Sequence, residues 1–245
     1  MKEEIKNIYT VVGVVRETHD VSTLQLILSK KTVLPYIAGQ FITIYFPELG
    51  TPEGKAYSIS SAPHESTLNI TVKAMGEFSR RLVAMRSGET ITASLPYGFF
   101  YSESEKSNLC MLAGGIGIAP FRSMIVNSIK KHPLRTITLL YSVQNRQEII
   151  FEKELNALQS EHSNFRIKYF ITREVDNNNV RQKESNSMIF RRMSADDALE
   201  TLSEENTETE FMLCGSIEFV RDMWRGLRAH NISEIAIYTE AFFSH

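Results

Sequence analysis

A chain of 245 residues with 42% hydrophobic and 23% charged side chains can bury a sizeable core, in one large domain or two ordinary ones. Its formal charge of −2, from 27 basic and 29 acidic side chains, gives no global field that would hold it on nucleic acid or an anionic membrane. No apolar run approaches the ~20 residues of a membrane span, and the start MKEEIKNIYT lacks the apolar core of a secretion signal, so the expected location is the cytoplasm.

Apolar and polar residues alternate with period two over 9–16, 23–28, 40–46, 55–60, 68–72 and 91–95, the mark of half-buried strands. Turn-formers such as Thr51-Pro52-Glu53-Gly54 separate the runs, and one helix over 77–85 interrupts them. This half is expected to be an antiparallel six-stranded β-barrel. The polar stretch Ser102-Glu103-Ser104-Glu105-Lys106-Ser107 marks a boundary, which places one domain at 1–103 and a second at 104–245. Beyond it, short continuous apolar strands at 108–112, 136–141, 165–171, 210–214 and 234–238 alternate with helical segments, which predicts an α/β domain with a five-stranded parallel sheet. The stretch 175–187, with three consecutive asparagines, reads as an exposed loop and receives no function.

Several runs carry chemistry-bearing residues. Gly114-Gly115-Ile116-Gly117-Ile118-Ala119-Pro120 leaves a strand and enters a helix, where backbone can approach a pyrophosphate; the alternative is a tight turn with no ligand. Pro120 suits the first turn, whose amides have no intrahelical partner. In Lys55-Ala56-Tyr57-Ser58-Ile59-Ser60-Ser61, alternation puts Lys55, Tyr57 and Ile59 on one face and Ala56, Ser58 and Ser60 on the other. A cation, a ring and hydroxyls on one strand suit a flavin, or an ordinary Tyr/Ser-rich strand. Gly76 precedes a helix that begins Glu77-Phe78-Ser79, which makes either an anion site or a plain helix entry. Cys214-Gly215 closes a strand at the carboxyl edge of the sheet, where α/β domains bind ligands, although a buried inert cysteine explains it equally. Ser142 to Arg146 follows the second strand of this half, where an adenosine ribose is usually read; no acid stands there, and Arg146 or Arg173 suits either a 2′-phosphate, which would favour NADPH over NADH, or a merely solvated surface.

The two cysteines, Cys110 and Cys214, are too few for a four-thiolate cluster or zinc site, and a disulfide is not expected. The histidines show no paired metal-ligand spacing and no Gly-x-Ser-x-Gly elbow is present, so neither a metal nor acyl transfer is expected.

In order and spacing, the Tyr-Ser strand, the glycine–Pro120 loop and Cys214-Gly215 resemble the ferredoxin–NADP reductase-like family over nearly the whole chain. Its flavin motif Arg-x-Tyr-Ser-x-x-Ser falls on Tyr57, Ser58 and Ser61, with Lys55 in place of the arginine. The resemblance implies that Tyr57 stacks on the flavin, Ser58 reaches its N5 edge and Lys55 meets its phosphate as a point charge. It further implies that Val72-Lys73-Ala74-Met75-Gly76-Glu77-Phe78-Ser79 holds the flavin pyrophosphate through Gly76 and Ser79, and that Gly115, Gly117 and Pro120 hold the dinucleotide. Cys214 would lie beside the nicotinamide, with Gly215 leaving room for it; Phe242 would cover the flavin face and Glu240 would face the same site. Ala38-Gly39-Gln40-Phe41 matches a family element with a structural role in the barrel.

The implied cofactors are FAD, or FMN, with NADPH or NADH. The implied activity is hydride transfer from NAD(P)H to flavin, then single-electron transfer to a separate ferredoxin, flavodoxin or oxygenase component. Two alternatives stand beside it: a reductase that takes free flavin as substrate, suggested by Lys55, and a non-catalytic electron-transfer or binding subunit of a larger complex.

Overall fold

The computed structural model of the chain describes residues 6–28, 34–104, 107–174, 187–201 and 208–242. Contacts divide it into two compact units, one running to Tyr101 and taking in Ala119–Asn127, the other formed by Ser102–Ile118 and the residues from Ser128 onward.

The first unit is built on six strands, β1 (Asn7–Arg16), β2 (Val21–Leu28), β3 (Phe41–Phe46), β4 (Thr51–Ser58), β5 (Leu68–Lys73) and β6 (Thr90–Ala93), with helix α1 (Glu77–Val83) between the last two. They form one antiparallel sheet in the order β4-β3-β6-β1-β2-β5. An antiparallel bridge between Ile59 and Ile70 then ties the two edges together. The period-two apolar residues face one core, with Tyr9, Val11, Leu24, Leu26, Ile42, Ile44, Ile59, Ile70, Val72 and Ile91 all buried. Phe78 and Leu82 of α1 plug that core, each contributing about 1.5–3 kcal/mol of apolar burial. Gly39 holds a turn at φ 106, and a Cβ there would lie 2.0 Å from the Phe100 carbonyl oxygen, so it serves the fold.

The second unit contains β7 (Asn108–Gly114), α2 (Ile118–Lys131), β8 (Ile137–Val143), α3 (Glu152–Glu161), β9 (Phe165–Ile171), β10 (Met188–Ile189), α4 (Ala195–Leu199), β11 (Thr209–Ser216), α5 (Ile217–Ala229) and β12 (Ile237–Phe242), although the middle of α2 groups with the first unit. All its strand pairs are parallel, in the order β10-β9-β8-β7-β11-β12. Central strands covered on both faces need apolar side chains on both, which is why β7, β8 and β11 read as unbroken apolar runs.

The sheet has six strands and not the expected five. The added strand, β10, is two residues long and pairs Met188 with Tyr169 and Ile189 with Phe170. So short a segment shows neither alternation nor an apolar run, and backbone pairing alone defines it. The final strand also starts later than its composition suggests: Glu234–Ala236 is a 3₁₀ turn, and the strand continues to Phe242. The asparagine-rich stretch lies outside the described residues except for Ser187, whose carbonyl accepts the Tyr169 amide at 2.6 Å. No helix among the described residues is long and apolar enough to cross a membrane.

Candidate functional site

The chain builds β7, β8 and β9 outward in one direction and then returns to place β11 on the other side of β7. Ligands of such sheets bind at the carboxyl ends of the strands where the order reverses. Two glycine-bearing segments leave that point, the Gly115–Gly117 turn into α2 and the end of β11, Cys214-Gly215-Ser216, into α5. They pack backbone to backbone: a Cβ on Gly117 would lie 2.2 Å from the Cys214 carbonyl oxygen and 2.8 Å from the Gly215 nitrogen. Gly115 differs, since its φ of 54 favours glycine and nothing lies within 4 Å of an added Cβ. The turn therefore presents open backbone, and no side chain caps α2 behind it. Pro120, in the first turn of α2, gives up a donor that the helix does not need. These features fit a dinucleotide pyrophosphate.

Cys214 is fully buried and stands opposite Glu240 in the β11–β12 register. Burial, then the neighbouring Glu240 charge, pushes its thiol well above the ordinary range, so it stays protonated at neutral pH and is no thiolate nucleophile. Both cysteines are free and buried. Phe242 pairs with Ser216 at the far end of the same ladder, partly exposed. Ser142 lies beside Gly114 on β8. Arg146 is already engaged: its amide donates to Glu174 Oε1 at 2.7 Å, its Nε lies 3.7 Å from Glu174 Oε2, and its guanidinium sits 4.9 Å from the Phe190 ring.

In the first unit, Lys55 and Tyr57 share a face of β4, as alternation requires, and both meet Phe78 of α1. The Tyr57 ring lies 6.2 Å from Phe78 at 20°, and Lys55 Nζ is 5.6 Å from the same ring. Burial pushes the Tyr57 phenol up, so it remains a neutral donor. Ser58 is buried on the opposite face. Gly76 is the N-cap of α1, in ordinary extended geometry at φ −131, and a Cβ there would meet nothing within 4 Å. The glycine thus leaves open backbone at the start of the helix whose Phe78 meets Lys55 and Tyr57, a combination that suits a flavin and its phosphate.

Other expected contributors are occupied by the fold. The Ser79 hydroxyl accepts the Met75 and Gly76 amides at 2.9 and 3.0 Å and donates to the Gly76 carbonyl. Ser61 is fully buried, its hydroxyl accepting the Asn69 amide and sharing a bond with Tyr36, both at 2.8 Å. The Val72 side chain belongs to the core, and Lys73 lies 3.4 Å from the Asp20 carboxylate. Two residues escaped the sequence reading. Arg81 brings a second cation, 5.8 Å from Phe46, which packs 4.9 Å from Phe78; its helical spacing of three from Phe78 was the available signal. The Phe219 ring fills the space beside Gly114 and Gly215, 3.0 and 2.9 Å from where their Cβ atoms would be, and no local pattern marks it. Among the described residues no cluster suits a metal ion.

Residues 9–101 match the oxidoreductase FAD-binding domain model, and residues 111–224 match the oxidoreductase NAD-binding domain model. The electron transfer component of a 2-halobenzoate 1,2-dioxygenase from Burkholderia cepacia is 28% identical over 90% of this chain and 63% of its own length. A flavohemoprotein from Xylella fastidiosa is 27% identical over 86% of this chain and 52% of its own. The chain therefore spans less than two thirds of either of these curated relatives. A ferredoxin NADP+ reductase from Neisseria gonorrhoeae, solved with bound FAD and NADP, superposes with a TM-score of 0.77 at 28% identity, covering 98% of this chain and all of its own.

Proposed function

Because the chain belongs to the ferredoxin–NADP reductase-like family of flavin-dependent NAD(P)H oxidoreductases, with that family's FAD-binding and NAD-binding domains, we propose that it draws electrons from NAD(P)H through FAD and delivers them to a separate acceptor protein. We assign the flavin to 1–103 and the dinucleotide to 104–245. When bound, the flavin accepts a hydride from the reduced nicotinamide and releases electrons one at a time. The protein's part is placement. Tyr57 offers a ring face, Lys55 a cation, Ser58 a hydroxyl and Gly76 open backbone for the flavin; Gly115 and Gly117 hold the pyrophosphate, Ser142 and Arg146 flank the adenosine half, and Cys214, Gly215, Glu240 and Phe242 serve the nicotinamide end.

The observation that carries the reading is the meeting of the Gly115–Gly117 turn with Cys214-Gly215 where the strand order reverses. The acceptor is a ferredoxin, a flavodoxin or an oxygenase component, a class supported by the relative that serves a dioxygenase as its electron transfer component. Two free, buried thiols suit a reducing compartment, and we place the protein in the cytoplasm. Lys55 supports a second reading, in which flavin is a diffusing substrate, because a point charge replaces a bidentate fork. Gel filtration of protein mixed with excess FAD tests both. Stoichiometric flavin that stays bound, with steady NADPH or NADH oxidation by an artificial acceptor, is expected; loss of flavin with turnover of added FMN supports the second reading, and no oxidation under any condition refutes both.

A further inference from the structure

The strand that carries Lys55, Tyr57 and Ser58 is followed just beyond its end by Ser60 and Ser61, and the carbonyls of both are held by consecutive residues of α2. Arg122 Nη1 donates to the Ser60 carbonyl at 2.8 Å, and the Ser123 hydroxyl donates to the Ser61 carbonyl at 2.5 Å. The same guanidinium forks onto Glu65, Nη1 to Oε2 at 2.9 Å and Nη2 to Oε1 at 3.1 Å, and Glu65 in turn accepts the Ala62 amide. Ser123 is fully buried and the Arg122 side chain is only 12% exposed. Phe121 and Met124 of α2 pack in the same unit, the Phe121 ring 5.8 Å from the Phe100 ring and the Met124 methyl 2.4 Å from where a Gly39 Cβ would fall.

Nothing in the proposed cofactor contacts uses Arg122, Ser123 or Glu65. A buried ion pair is also a poor source of net stability, since desolvation offsets most of its attraction. What the arrangement supplies is geometry. A planar fork that reaches a carboxylate and a peptide carbonyl together fixes the 60–65 segment in one orientation, which an ammonium cannot do. Ser60 is two residues from Ser58 and three from Tyr57, so the pivot of the flavin strand is set from outside the sheet.

We propose that Arg122 and Ser123 are positioning residues for the flavin, acting through the Ser60 and Ser61 carbonyls with Glu65 holding the Arg122 fork. The inference rests on the functional reading above. Its test compares full-length wild type with Arg122→Met, Arg122→Lys, Glu65→Gln and Ser123→Ala by FAD titration, visible circular dichroism of the bound flavin and far-ultraviolet circular dichroism. Arg122→Met and Ser123→Ala are expected to fold, to weaken FAD binding about tenfold or more and to change the visible dichroic bands. Arg122→Lys is expected to fall between Met and wild type. Folded variants with wild-type affinity and visible bands overturn the inference; if Arg122→Met does not fold, the near-isosteric Glu65→Gln decides by the same two readouts. A wild type that binds no FAD instead overturns the functional reading itself.

Discussion

Replacing Gly76 by aspartate is expected to move stability and flavin affinity in opposite directions. Gly76 is the N-cap of α1, with extended backbone and no atom within 4 Å of an added Cβ, so the fold gives no steric reason to refuse a side chain. Aspartate is a better cap than glycine and carries a charge that the helix N-terminus favours, together about 0.5–1 kcal/mol. That corresponds to a rise in the melting temperature of the flavin-free protein of roughly 1–4 °C. A flavin phosphate at this helix start would meet the new carboxylate at a distance on the order of 6 Å, which at an effective dielectric near 20 costs about 2–3 kcal/mol. The dissociation constant for FAD should then rise about 30- to 150-fold. Gly76→Asn supplies the same cap without the charge and should show only the steric part of the loss. Differential scanning of the flavin-free protein and fluorescence titration with FAD measure the two effects separately. Wild-type affinity in Gly76→Asp would refute a phosphate at this position.

Three further outcomes follow from the geometry. In Gly117→Ala the new methyl meets backbone of Cys214 and Gly215 that no rotamer change can clear, so the two segments must part at about 1–3 kcal/mol; a lower melting temperature and weaker NADP+ binding are expected, and an unchanged variant would contradict the packing. Burial works against the Glu65 carboxylate, but the Arg122 hydrogen bond, the Ala62 amide and the Arg122 and His64 charges outweigh it and hold the group below its ordinary value of 4.5. Its contribution is therefore complete above pH 4.5 and disappears as pH falls through the lowered folded value, so a melting-temperature gap between wild type and Glu65→Gln should narrow in acid and not widen. Because burial keeps Cys214 and Cys110 protonated, iodoacetamide at pH 8 should label neither in the native protein and both in denaturant; prompt labelling of native Cys214 would contradict its burial.

Patterns of burial were the most legible part of the fold. Alternation located the antiparallel strands because each packs one face against a single core, and mainly apolar runs located β7, β8 and β11 in the middle of the parallel sheet. The two-residue β10 was not legible, since its pairing with Tyr169 and Phe170 is made by backbone. In the candidate site, the same-face placement of Lys55 and Tyr57 followed from strand period, and the glycine turn followed from its strand-to-helix position. Gly117 carried its signal in its residue type, whereas the reason for it, the Cys214 backbone against it, lies almost a hundred residues away in the chain. Long-range partners left no such trace. The Glu174 that engages Arg146, the Phe219 ring beside Gly114 and the Arg122 fork on Glu65 all join residues far apart in sequence. Spacing likewise says nothing of hydroxyl partners: Ser61 and Ser79 fit a ligand motif, and the hydroxyls of both accept backbone amides nearby.

Hydride transfer from nicotinamide to bound flavin is read directly in an absorption spectrum of the FAD-loaded protein, recorded anaerobically before and after addition of NADPH and, separately, of NADH. Oxidised-flavin bands that remain with the protein and bleach on mixing with at least one nucleotide are expected. Bands that persist with both nucleotides, or a protein that takes up no FAD, would contradict that transfer.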